Sequence, residues 1–147
     1  MSACDANLAL LLRLIGAAEL AALAFVVAPF GWMDTVHDRL LGLGPLPAER
    51  IIEYLARHLS ALYAVHGAMV LAISFDLPRY RPLVRVLGWS HVGLGVALGW
   101  ADWSAGFPWA WALGEGTLVA ACGGLIVVAG GRRQHHGAES VGSGGKE

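Results

Sequence analysis

The chain has 147 residues, of which 56% are hydrophobic and 14% charged, with a net charge of -1. A soluble domain carries about 45–50% apolar and about 25% charged residues, so the composition points to a membrane protein. A chain this close to neutral has no basic field with which to hold nucleic acid, and Cys4 and Cys122 are too far apart in context to form a disulfide framework or a metal knuckle.

Cutting the chain at charges and prolines leaves four apolar stretches, residues 8–28, 51–75, 83–101 and 109–131. Each is close to the roughly 20 residues that cross a hydrocarbon core as a helix. Lengths near 20 and a bias toward Ala, Leu and Gly favour helices over the shorter alternating strands of an outer-membrane barrel. A soluble bundle built from these segments would have too little polar surface to cover itself. The expected fold is therefore all-α, a four-helix transmembrane bundle. It forms one domain over residues 1–131, followed by a Gly/Ser-rich tail at 132–147 expected to be disordered and cytoplasmic. His135 and His136 in that tail read as solvated side chains rather than ligands.

The first span lacks both a basic leader and a cleavage site, and so reads as a retained span rather than a signal peptide. Residues 32–41 after it place Trp32, Met33, Val36 and Leu40 on one side, as suits a short helix lying in the outer interface; Gly42, Gly44, Pro45 and Pro47 end it. Arg79, Arg81 and Arg85 crowd the link between the second and third spans, and Arg132 and Arg133 follow the fourth, whereas residues 102–108 have neither Lys nor Arg. The positive-inside rule then places both termini in the cytoplasm of a bacterial inner membrane. Trp32, Trp100, Trp103, Trp109 and Trp111 fall at the outer ends, where an aromatic belt belongs.

Ionisable groups inside spans are costly and tend to face protein and mark function. At a rise of 1.5 Å per residue, Glu19 and His91 lie about 9 Å in from the inner ends and His66 about 15 Å in, while Glu115, Arg57 and His58 lie about 25–28 Å in. The outer layer reads as structural: Arg57 is expected to pair with Glu115, with Glu53 one turn away sharing it and His58 alongside. The inner layer of Glu19, His66 and His91 is the candidate functional site. It suits a satisfied polar network, a site for protons or small molecules, a metal site, or a redox cofactor, with His66 and His91 serving haem or a quinone.

Arg13, Gly16 and Glu19 in the first span align with Arg85, Gly88 and His91 in the third, suggesting two related helical hairpins with Glu19 facing His91. His66 and Gly67 also match Glu115 and Gly116, but at depths about 10 Å apart, which reads as composition.

Glu53, Arg57, Tyr63, Gly67, an Arg-rich turn and Glu115 in the last span resemble the DoxX-like bacterial four-helix inner-membrane proteins, over roughly residues 8–130. That resemblance implies an accessory role beside a respiratory or quinone-linked enzyme. The residues 32–41 loop and the His66 and His91 pair depart from the pattern. No nucleophile with its base and no phosphate-binding loop is present, so the sequence gives no ground for intrinsic catalysis. The expected role is a small membrane subunit or interaction partner. A redox accessory and a proton-coupled carrier using Glu19 stand as alternatives. Partners are the lipid bilayer, a larger membrane complex or a second copy; the small-residue faces Gly95–Gly99 and Gly116, Ala120, Gly124 suit packing within the bundle ahead of dimerisation.

Overall fold

The computed structural model describes residues 3–131; residues 132–147, with the tail and its two histidines, lie outside the described residues. The described residues form helices joined by short loops, with no strand among them. Its elements are α1 (Ala3–Ala21), α2 (Leu23–Val27), α3 (Phe30–Thr35), a wider π turn (Val36–Leu40), α4 (Arg50–Phe75), α5 (Leu77–Ser104) and α6 (Trp109–Gly131). Four helices are long and apolar enough to cross a membrane, α1 and α2 together counting as one of them.

Two of these begin earlier than the charge pattern suggested. α1 starts at Ala3 and takes in Asp5, whose carboxylate is bonded to Arg81, so a charge that seemed to bar a helix is neutralised. α5 starts at Leu77 and runs through Pro82. Asp76 caps it by accepting from the Arg79 backbone N–H, and Pro78 occupies the first turn, where a missing N–H costs nothing. Asp76 is also the point at which the α4 helix ends.

The first membrane-length segment is interrupted at Ala22, whose N–H reaches back only three residues to the Glu19 carbonyl at 3.0 Å. Ala28 is extended (φ -62°, ψ 143°), as the residue before Pro29 must be, and this ends α2. The interfacial segment begins at Phe30, two residues before its expected start, buries Met33 and leaves Trp32 and Leu40 exposed. The Gly/Pro loop after it is held by the Leu46 N–H donating to Asp34 Oδ1 at 2.7 Å and by His37 Nδ1 donating to the Gly44 carbonyl at 2.6 Å.

The described chain groups into two compact units: Leu12–Phe75, and residues 3–11 with 76–131. The first is a hairpin of α1 and α4. Gly16 and Gly67 face each other so closely that a Cβ on Gly67 would stand 2.6 Å from the Gly16 carbonyl and from the Leu20 nitrogen. In the second unit α5 and α6 cross in the same way, a Cβ on Gly123 falling 2.6 Å from the Gly88 carbonyl and from the Val92 nitrogen. The four largest fully buried side chains match these crossings. Leu12 lies four residues before Gly16 and Val84 four before Gly88, while Val70 lies three after Gly67 and Ile126 three after Gly123.

The two hairpins therefore repeat one packing arrangement. The alignment of Arg13–Gly16–Glu19 with Arg85–Gly88–His91 describes its first strand of contacts, and Gly67 corresponds to Gly123. Gly116, whose match to Gly67 the difference in depth set aside as composition, packs against Gly95 and Gly99. Overpacking a close-packed contact costs about 1–3 kcal/mol. Gly67→Leu and Gly123→Leu are expected to lower the thermal midpoint of the detergent-solubilised protein, while Gly93→Leu, which has nothing within 4 Å, leaves it unchanged.

Candidate functional site

The glycine crossing of the first unit also positions its polar pair. Glu19 stands on α1 one turn after Gly16, with its Cβ 2.9 Å from where a Gly67 side chain would begin. His66 immediately precedes Gly67 on α4. With the backbones this close, two short reaches suffice, and His66 Nδ1 lies 2.7 Å from Glu19 Oε2. The carboxylate can only accept at neutral pH, so the ring donates from Nδ1. That fixes the tautomer and the plane of the imidazole, as a carboxylate does for a histidine serving through its other nitrogen. The carboxylate side chain is 19% exposed and the imidazole 40%, so the base is held within the hairpin and the ring is reachable. Such a ring can bind a metal or haem iron, hydrogen-bond a quinone oxygen, or carry a proton.

His91, the third member of the expected inner layer, belongs to the second unit. It is 7% exposed, and its Nδ1 donates to the Leu87 carbonyl one turn back at 2.9 Å. Its Cβ lies 2.9 Å from a Cβ built on Gly123, the station that Glu19 holds against Gly67. Glu19 and His91 are thus equivalent positions of the repeated hairpin, filled by a carboxylate in one and an imidazole in the other.

Arg57 works differently from its expected role. Its guanidinium is bound entirely within its own unit: Nε and Nη2 donate to Glu53 Oε1 at 3.1 and 2.7 Å, Nη2 also donates to the Ala28 carbonyl at 3.0 Å, and Nη1 donates to the Val26 carbonyl. Those two carbonyls end α2, where Pro29 offers no N–H and the chain turns extended. Arg57 therefore caps a helix C-terminus from another helix, with its charge at the negative end of the helix dipole. Its expected partner Glu115 lies in the second unit, where the neighbouring polar groups are the Trp111 side chain, which donates a hydrogen bond to it, and the Asp102 carboxylate. His58 is exposed; it stacks on Tyr54 with ring centroids 3.8 Å apart and donates from Nδ1 to the Tyr54 carbonyl at 2.8 Å, taking no part in an ion pair.

Two features had no signal in the sequence. Asp5 and Arg81 meet at 2.6 Å although they are 76 residues apart, and Arg81 looked only like one more basic residue of a charged turn. Asp102 looked like a loop residue, yet it lies within α5 and its Oδ2 is buried with no hydrogen-bond partner among the described residues.

Removing the Arg57 side chain leaves the Val26 and Ala28 carbonyls without their donor, and each such orphaned group costs about 1–3 kcal/mol. Arg57→Met is expected to destabilise the protein by more than Glu53→Gln does in denaturant unfolding, because Glu53→Gln leaves both carbonyl bonds in place. Equal stability of Arg57→Met and the parent protein would refute the capping role.

No protein-family model, curated protein or solved structure matches the chain.

Proposed function

We propose that the chain is a multi-pass protein of a bacterial inner membrane, with both termini in the cytoplasm, that serves as an accessory subunit and exchanges a proton through His66. One observation carries this reading: the 2.7 Å contact between Glu19 and His66 on two helices of membrane-spanning length. Placing a carboxylate and an imidazole in hydrocarbon is expensive, and the expense is reduced when the two are bonded to each other. Glu19 holds the ring from Nδ1, so His66 can exchange a proton without the ring turning. The four spans are an even number, and the arginines at 79, 81 and 85 put the link between α4 and α5 on the side where the termini also lie.

The DoxX-like resemblance points to the same class of role, beside a quinone-linked respiratory enzyme. A quinone, when bound, would supply the electron chemistry. The part of this chain would be to hold and move the proton at His66 and to keep that ring aimed through Glu19. The absence of a recognisable nucleophile or phosphate loop in the sequence fits a subunit that assists a larger enzyme.

The test is purification in mild detergent with native lipid retained. Extracted quinone and co-purifying proteins are then measured in the parent protein, Glu19→Gln and His66→Gln. The expected result is bound quinone together with a larger partner, loss of quinone in His66→Gln, and weakened retention of quinone in Glu19→Gln because the ring has lost the carboxylate that orients it. A quinone-free solitary protein, or quinone retained equally in all three, would overturn the proposal.

A further inference from the structure

Trp89 is the one tryptophan of the chain that does not fall at an outer end of the spans. It stands on α5 one turn beyond Arg85, toward the end where the arginines gather, and it is 60% exposed. α5 has 28 residues, about 42 Å of helix against a hydrocarbon core of about 30 Å, so about 12 Å is left over for the headgroup layers. Arg79, Arg81 and Arg85 all lie within about the first 12 Å of the helix. Arg81 is neutralised by Asp5 at 2.6 Å. Arg79 and Arg85 are exposed and meet no carboxylate among the described residues. The nearest acid, Asp76, turns its Oδ1 to the Arg79 backbone N–H as the helix cap, and no other Asp or Glu occurs before Asp102. The Arg79 guanidinium lies over the Tyr80 ring, 5.6 Å from its centroid, which keeps it at the helix surface.

At about 100° per residue, Arg79 and Arg85 leave the helix about 120° apart, and Val86, Trp89 and Gly93 all project into the sector between them. Val86 is as exposed as Trp89, and Gly93 has nothing within 4 Å of where a side chain would begin, which leaves a notch beside the indole. Two exposed guanidinium groups at headgroup depth thus bracket an apolar strip that runs on into the core. Guanidinium matches phosphate oxygens in a bidentate fork, and an indole suits the boundary between headgroup and chain. A soluble anion would use the arginines and leave the strip bare; an anionic phospholipid uses both.

We propose that Arg79 and Arg85 bind the headgroup of an anionic phospholipid, with its glycerol level at the Trp89 indole and an acyl chain along Val86 and the Gly93 notch. The site rests on α5 being a membrane span and not on the Glu19 and His66 pair.

The experiment is native mass spectrometry of the full chain in neutral detergent, titrated with phosphatidylglycerol and with phosphatidylcholine of the same acyl chains, and with inorganic phosphate as competitor. Saturable binding that favours phosphatidylglycerol is expected, and excess inorganic phosphate should leave the lipid in place. An arginine near anionic headgroups contributes about fivefold in affinity, so Arg79→Gln and Arg85→Gln should each weaken binding by about that factor. Arg13→Gln removes the same charge from an exposed position on α1 and should leave the affinity unchanged. Gly93→Leu fills the notch and should weaken binding while the thermal midpoint stays that of the parent protein. His66→Gln should bind the lipid as the parent does, whether or not it loses quinone. Four results would overturn the proposal: equal affinity for the two lipids in the parent protein, displacement of the lipid by inorganic phosphate, unchanged affinity in the Arg79→Gln, Arg85→Gln double variant, or an equal loss in Arg13→Gln, which would mean a diffuse attraction. The first two are measured on the parent protein and stand even if a variant fails to fold.

Discussion

Two glycines that meet backbone to backbone decide most of what this protein can do. In water, helices associate by burying apolar surface, but in hydrocarbon that force is absent and close packing takes its place. At Gly16 and Gly67, and again at Gly88 and Gly123, the helices approach until a single methyl group would collide with a carbonyl and a backbone nitrogen. The gain is a line of dispersion contacts between closely facing main chains. Leu12, Val70, Val84 and Ile126 are wholly buried because they sit one turn from these crossings. The Glu19 and His66 bond depends on the same closeness, since both side chains spring from residues beside the crossing.

The remaining polar groups follow a second constraint, that a main-chain carbonyl in an apolar setting must find a donor. Pro29 breaks the first membrane-length segment and strands the carbonyls at its end. Arg57 meets that need while Glu53 balances its charge. Among the described residues, His58 Nδ1 donates to the Tyr54 carbonyl, His91 Nδ1 to the Leu87 carbonyl and His37 Nδ1 to the Gly44 carbonyl, while His66 Nδ1 meets the Glu19 carboxylate.

Some of this was legible in the residues alone. Four apolar runs near 20 residues give four helices whatever they pack against, because a chain leaving water must satisfy its own backbone bonds. The Arg13–Gly16–Glu19 and Arg85–Gly88–His91 alignment was legible because the two glycines hold equivalent places in two separate crossings, Gly16 against Gly67 and Gly88 against Gly123. The match of the second and fourth spans was not, because Gly116 and Gly123 look alike in sequence and only packing reveals which faces Gly88. The beginnings of α1 and α5 were misplaced for a related reason. A charge or a proline breaks an isolated apolar run, but Asp5 bonded to Arg81 and Pro78 behind the Asp76 cap do not break a helix.

The sequence by itself determined the number and type of the long helices and the ionisable residues that would have to be accommodated within them, since both follow from length, hydropathy and the cost of burying charge. Which partner each of those residues takes was decided only by the tertiary structure. Arg57 could have met Glu115 on depth alone, yet its reach is set by the nearest unsatisfied acceptors, and these are created by a helix end at Pro29 whose position in space no one-dimensional count supplies. Depth along a helix is a property of the chain; the direction a side chain faces, and what stands opposite it, are properties of the packing.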